Sequence, residues 1–113
     1  MPEQRLIIEM AQGVDLHGRD DTKAARRAVE QALQGASLPI FNTLDVDRNT
    51  MRVVVHVSTP RPENVDTDAI ADLLPYGTVE VIAEKGGLDV PVAGDVALMA
   101  VAAIEVFLPK RTD

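Results

Sequence analysis

Val96-Ala97-Leu98-Met99-Ala100-Val101-Ala102-Ala103-Ile104-Glu105-Val106-Phe107-Leu108 is apolar at every position but Glu105. Its alanines permit a helix. Val96, Val101, Ile104, Val106 and Phe107 favour extended backbone, and no polar face recurs at a 3.6-residue period. The stretch is expected to be a strand that is apolar on both sides, and such a strand needs cover on both. In a chain of 113 residues, helices can cover one face, and a second subunit is the expected cover for the other.

Upstream, Thr78–Glu84 alternates Val79, Val81 and Ala83 with Glu80, Ile82 and Glu84, and Gly86-Gly87 marks a turn. Pro91 and Gly94 are placed in the loop running to Asp95. Ala69, Ile70, Leu73 and Leu74 form an apolar stripe for a short helix that starts after Asp66 or Thr67 and stops at Pro75 and Gly77. Met51–Thr59 alternates Met51, Val53, Val55 and Val57 against Arg52, Val54, His56 and Ser58, and Pro60 ends its pairing. Leu38–Val46 is expected as a weaker strand, joined to it by the turn residues Asp47-Arg48-Asn49-Thr50. Ala25, Ala28, Val29, Ala32 and Leu33 repeat as one helical stripe, with Asp21 or Thr22 as the cap and Gly35 at the stop. Leu6–Met10 is the first strand. The order β-α-β-β-α-β-β over residues 1–113 describes one α+β domain. Its expected arrangement is a small ferredoxin-like or chorismate-mutase-like sheet with both helices on one face.

Composition narrows the function classes. The net charge of −7 opposes binding to phosphate backbones and anionic membranes, so neither nucleic acid nor membrane is an expected partner. The absence of cysteine removes disulfides, thiolate nucleophiles and cysteine-ligated metals. No leader-like or bilayer-spanning run is present, and a cytoplasmic protein is expected. Aromatic residues make up only 3% of the chain, so the core rests on small aliphatic side chains and self-association gains weight.

Chemistry concentrates in Ala11-Gln12-Gly13-Val14-Asp15-Leu16-His17-Gly18. In extended backbone, Asp15 and His17 point the same way, and a carboxylate beside an imidazole can fix its tautomer for acid/base work. Gly13 and Gly18 give the backbone freedom or room for a ligand. Lys23, with Arg19 or Arg26 at the following helix start, suits a small anionic metabolite. Glu84 is a second acid/base or ligand-binding candidate if its turn lies beside Asp15. The same residues also read as a structural turn at a subunit contact, in which Asp15 caps backbone N–H groups and the protein binds or assembles without catalysis. His56 has no dense ligand motif around it and no metal site is expected, although His17, His56 and a carboxylate such as Asp15, Glu9 or Glu84 could in principle form one; the residues name no cofactor. Glu105, inside its apolar strand, needs a charged or hydrogen-bonding partner.

The motif resembles Gly-x-Gly-x-Asp-x-His-Gly, the signature of a small family of uncharacterised bacterial and plant proteins. The resemblance extends to Thr22-Lys23-Ala24-Ala25, Leu74-Pro75-Tyr76-Gly77, Glu84-x-Gly86-Gly87 and Ala102-Ala103-x-Glu105-Val106. It implies a site at Gly13, Asp15, His17 and Gly18, and it implies no particular reaction. Ala11 stands where the signature has its first glycine, and its methyl group makes a positive φ costly there.

Overall fold

A computed structural model of the protein describes residues 3–35, 50–74 and 77–109. The expected strand Leu38–Val46, its turn residues Asp47-Arg48-Asn49 and the helix-stop residue Pro75 lie outside these residues. The described elements run β1 (Glu3–Asp15), α1 (Asp21–Gly35), β2 (Arg52–Thr59), a single 3-10 turn (Pro62–Asn64), α2 (Thr67–Ala71), β3 (Thr78–Lys85), β4 (Leu88–Val92) and β5 (Asp95–Pro109).

The apolar stretch at 96–108 is the central strand. β5 pairs antiparallel with the whole of β1, from Glu3↔Pro109 to Asp15↔Leu98, with one register shift between Arg5 and Ile7. Its other edge is shared, since β2 takes Val101–Phe107 and β4 takes Asp95–Met99. β2 and β3 pair in parallel, which gives the order β1-β5-β2-β3 with β4 beside β5. The mixed pairing has a direct origin. β1 and β2 are both antiparallel to β5, so they run parallel to each other with β5 inserted between them, one split βαβ unit. The β2-α2-β3 unit is not split, because its strands are direct neighbours.

β5 alternates as a two-faced strand must. Leu98, Ala100, Ala102, Ile104, Val106 and Leu108 are buried, and the odd-numbered residues between them are half-buried. The buried set packs with Val53, Val55 and Val57 of β2 and with Ala24, Ala25, Ala28, Val29 and Ala32 of α1. The helix stripe is alanine-rich, so α1 lies very close to the sheet. At Gly13 an added Cβ would sit 2.3 Å from the Ala28 nitrogen and 2.4 Å from the Ala24 oxygen. Gly13 therefore permits helix packing, where room for a ligand was expected. Ala11 is paired with Ala102 in extended backbone, and the signature's methyl penalty does not arise.

Two further expectations are corrected. α1 is capped by Asp20, whose Oδ1 accepts from the Lys23 N–H at 3.1 Å, rather than by Asp21 or Thr22. The segment expected as loop before Asp95 contains β4, and Ala93-Gly94, both with positive φ, form the two-residue turn into β5. α2 begins as expected, with Asp66 Oδ1 accepting from the Ala69 N–H.

Candidate functional site

Because β1, β2 and β3 run parallel, their carboxyl ends at Asp15, Thr59 and Lys85 lie at one end of the sheet. The start of β5 and the loop into α1 are there too. The ends of parallel strands are where loops are free to build a site on a rigid frame. Nearly every motif residue of the sequence gathers at this end, in two groups on opposite faces.

His17 belongs to the face opposite the described helices. The strand stops at Asp15 and His17 lies in the bend that follows, ahead of the positive-φ residues Gly18 (φ 93°) and Arg19 (φ 50°), so it no longer follows the β1 alternation. Its Nδ1 lies 2.6 Å from Asp95 Oδ2, a contact between residues 78 apart in sequence. With Nδ1–H donating to the carboxylate, Nε2 is left as a lone-pair acceptor. Asp95 is also held by the Val96 N–H, which donates to Oδ1 at 2.8 Å. The His17 hydrogen bond, and then that backbone N–H, hold the Asp95 carboxyl below its ordinary range. The pair borders an open depression of about 380 Å³ whose other lining residues are Leu16, Val92, Ala93 and Ala97. An oriented imidazole beside an apolar wall can accept or deliver a proton on a small molecule seated there.

Asp15 belongs to the helix face. It is 2% exposed, and its register partner is Leu98 in the core. Oδ2 accepts from the Asp20 N–H at 3.0 Å, closing the turn ahead of α1. Oδ1 lies 3.7 Å from Lys23 Nζ and 3.8 Å from Arg27 Nη1. Arg27 also donates to the Val14 carbonyl, fastening the helix to β1. Asp15 and His17 thus take separate partners, contrary to the expectation of one shared pocket. Lys23 is engaged with Asp15, and neither Lys23, Gly13 nor Glu84 lines the depression.

A second buried carboxylate, Asp21, organises the neighbouring corner. Its two oxygens accept from the Arg61 N–H (3.2 Å) and Nε (3.0 Å). The same guanidinium grips both oxygens of Asp89 at 2.7 and 3.2 Å, and Arg19 reaches Asp89 at 3.0 Å. The Asp89 hydrogen bond raises Arg61 above its ordinary value, and Arg61, then Arg19, lower Asp89. This bidentate bridge ties α1 to β4 and hence to the depression's Val92 wall. Its partners are distant in sequence, and residue spacing carries no signal for them.

On the face opposite the described helices, farther along the sheet, His56 Nε2 lies 2.7 Å from Glu105 Oε1, and Arg5 Nη1 donates to Glu105 Oε2 at 3.2 Å. These are the partners that Glu105 needs in its apolar strand, and His56, then Arg5, hold its carboxyl below the ordinary range. Glu84 approaches His56 Nδ1 only to 3.9 Å and lies away from Asp15. Among the described residues, no cluster of three or more histidines and carboxylates has metal-binding geometry. No helix among them is long and apolar enough to cross a membrane.

The fold and site define a small α+β domain with a mixed sheet and a histidine–carboxylate pair at the carboxyl ends of its parallel strands. The chain matches the Lin0512_fam family of conserved hypothetical proteins over residues 5–106 and belongs to that family. It is similar to the crystal structure of an FtsZ-like protein of unknown function from Nostoc punctiforme PCC 73102. The two chains are 34% identical with a TM-score of 0.85, covering 97% of this chain and 99% of that one. No functionally curated protein matches the chain.

Proposed function

We propose that this is a cytoplasmic, self-associating protein with a small-molecule site at the His17–Asp95 pair. His17 acts there as general acid/base, and Asp95 fixes its tautomer. The 2.6 Å contact that orients a histidine lining an apolar depression carries this reading. The ligand class is a small carboxylic or 2-oxo acid. Its body lies against Leu16, Val92 and Ala97, its carboxylate faces solvent, and its enolisable C–H faces the His17 ring, whose Nε2 can take the proton. The reaction class is proton transfer. Asp15, with Lys23 and Gly18, holds the loop that carries His17 and is a positioning residue. The mixed order β1-β5-β2-β3 supports the chorismate-mutase-like arrangement over the ferredoxin-like one.

NMR titration with a panel of short carboxylic and 2-oxo acids tests the site. Amide shifts are expected to cluster at residues 16–17 and 92–97 and to vanish in His17→Ala. Undiminished shifts in that variant would place the ligand elsewhere.

A second reading, assembly without catalysis, draws support from the packing roles of Gly13 and Asp15 and from the 82% exposure of the His17 side chain. It predicts that no acid in the panel binds and that His17→Ala changes only self-association.

A further inference from the structure

We propose that the face of the sheet opposite the described helices is the contact between two copies of this chain, packed sheet against sheet. The proposal rests on the self-association in the reading above and is independent of the chemistry of His17.

Register places Ile8, Met10 and Val14 of β1 on one face with Met99, Val101 and Ala103 of β5. Val54, already 5% exposed within one chain, and half-buried Ile82 share this side on β2 and β3, as do the exposed Leu88, Val90 and Val92 of β4. The described helices pack on the opposite side, where the buried residues of β5 and β2 lie. Ile8, Met10, Leu88, Val90 and Val92 stand 43–67% exposed, an unusual concentration of large apolar side chains on one surface. β4 in particular is apolar toward solvent at three alternate positions.

Two properties of the face favour a second copy. Strands about 4.8 Å apart with about 3.3 Å per residue give this face roughly 800 Å², the share each partner contributes to a stable protein–protein contact. At the centre of the face the charge is already answered, because Glu105 holds His56 and Arg5, while Glu80 and Glu84 share this side only on the edge strand β3, at the rim. Covering that centre does not strand a lone carboxylate, and the rim glutamates can stay in solvent. A twisted sheet face is also a shape that another such face fits, at about 10 Å separation. A membrane is a poor occupant, since the chain carries a net charge of −7 and Glu80 and Glu84 border the face. The depression beside His17 opens at the end of this same face, so a second copy would also wall the site.

The test is the mass of the full chain by sedimentation equilibrium, against 12.2 kDa for one copy. Wild type is expected to sediment as two or more copies at micromolar concentration. Met10→Glu, at a position already 67% exposed, buries an unpaired charge only in the assembly. It is expected to weaken association at least about a hundredfold with an unchanged circular dichroism spectrum. Val101→Glu, nearer the centre, is expected to do the same, and Glu30→Lys on the exposed side of α1 is expected to sediment as wild type. A wild type that stays monomeric at all concentrations overturns the proposal and assigns the face to another protein, or to lipid if the monomer floats with vesicles. So does a Met10→Glu variant that keeps the wild-type mass. Ligand shifts at His17 are read separately, so either result leaves the acid/base reading to its own test.

Discussion

The Asp15 carboxylate and the His17 imidazole, two positions apart in the chain, find their partners on opposite faces of one sheet. Asp15 closes onto the Asp20 N–H under α1, and His17 reaches across the β1–β5 edge to Asp95. The loop between them converts a packing constraint on one face into a placed side chain on the other.

The Asp15 assignment predicts an order among substitutions. Asp15→Ala removes the acceptor for a turn N–H in a buried place and costs about 2 kcal/mol. Asp15→Asn keeps an oxygen for that N–H and costs less. Urea unfolding of both variants checks the order. Equal losses would make the Lys23 and Arg27 ion pairs, and not the turn, the important contacts.

Gly13→Ala places a methyl carbon against the α1 backbone, where neither a rotamer change nor a flexible side chain can relieve it. The helix must shift off β1, at a cost of about 3 kcal/mol. A melting temperature within a degree or two of wild type contradicts the close approach.

Arg61→Ala leaves Asp21 buried without its guanidinium and releases Asp89, so a loss of about 3 kcal/mol is expected. Asp89 also sets an acid limit on this contribution. Its folded-state carboxyl is lowered, so its stabilisation is complete above the ordinary aspartate value of 3.8 and is lost as pH falls through the folded value. The difference between wild type and Arg61→Ala should therefore narrow in denaturation series carried below that pH.

Glu105 follows the same sign on the other face. Its carboxyl is held below the ordinary 4.5 by His56 and Arg5, so Glu105→Gln is expected to matter near neutral pH and to converge on wild type in acid. A wild-type advantage that grows as pH falls would contradict the hydrogen bonds seen here.

Much of the frame was legible in residue pattern. β5, β2 and α1 are long segments whose periodicity reports burial directly, and each lies within a residue or so of where pattern put it. β4 was hidden by Pro91 and its shortness, although Leu88, Val90 and Val92 alternate and Ala93-Gly94 is a turn. The direction of pairing was not legible, because β2 and β3 are parallel through a helix that pattern shows but cannot orient. The site was half legible. His17 stood out for its glycine-bounded carboxylate neighbour, yet Asp95 is its partner, 78 residues away. A two-residue spacing implies a shared direction only while the strand continues, and β1 ends at Asp15. The Arg61 bridge joins residues 40 and 28 apart and left no local trace.

The orientation of His17 by Asp95 is tested most directly by the ¹⁵N shifts of the His17 ring, recorded at a pH where the imidazole is neutral, in wild type and Asp95→Asn. The expected wild type is protonated at Nδ1 with a bare Nε2, and Asp95→Asn shifts the ring toward the Nε2–H form. A wild type already protonated at Nε2, or a ring indifferent to Asp95→Asn, would contradict the assigned acid/base role.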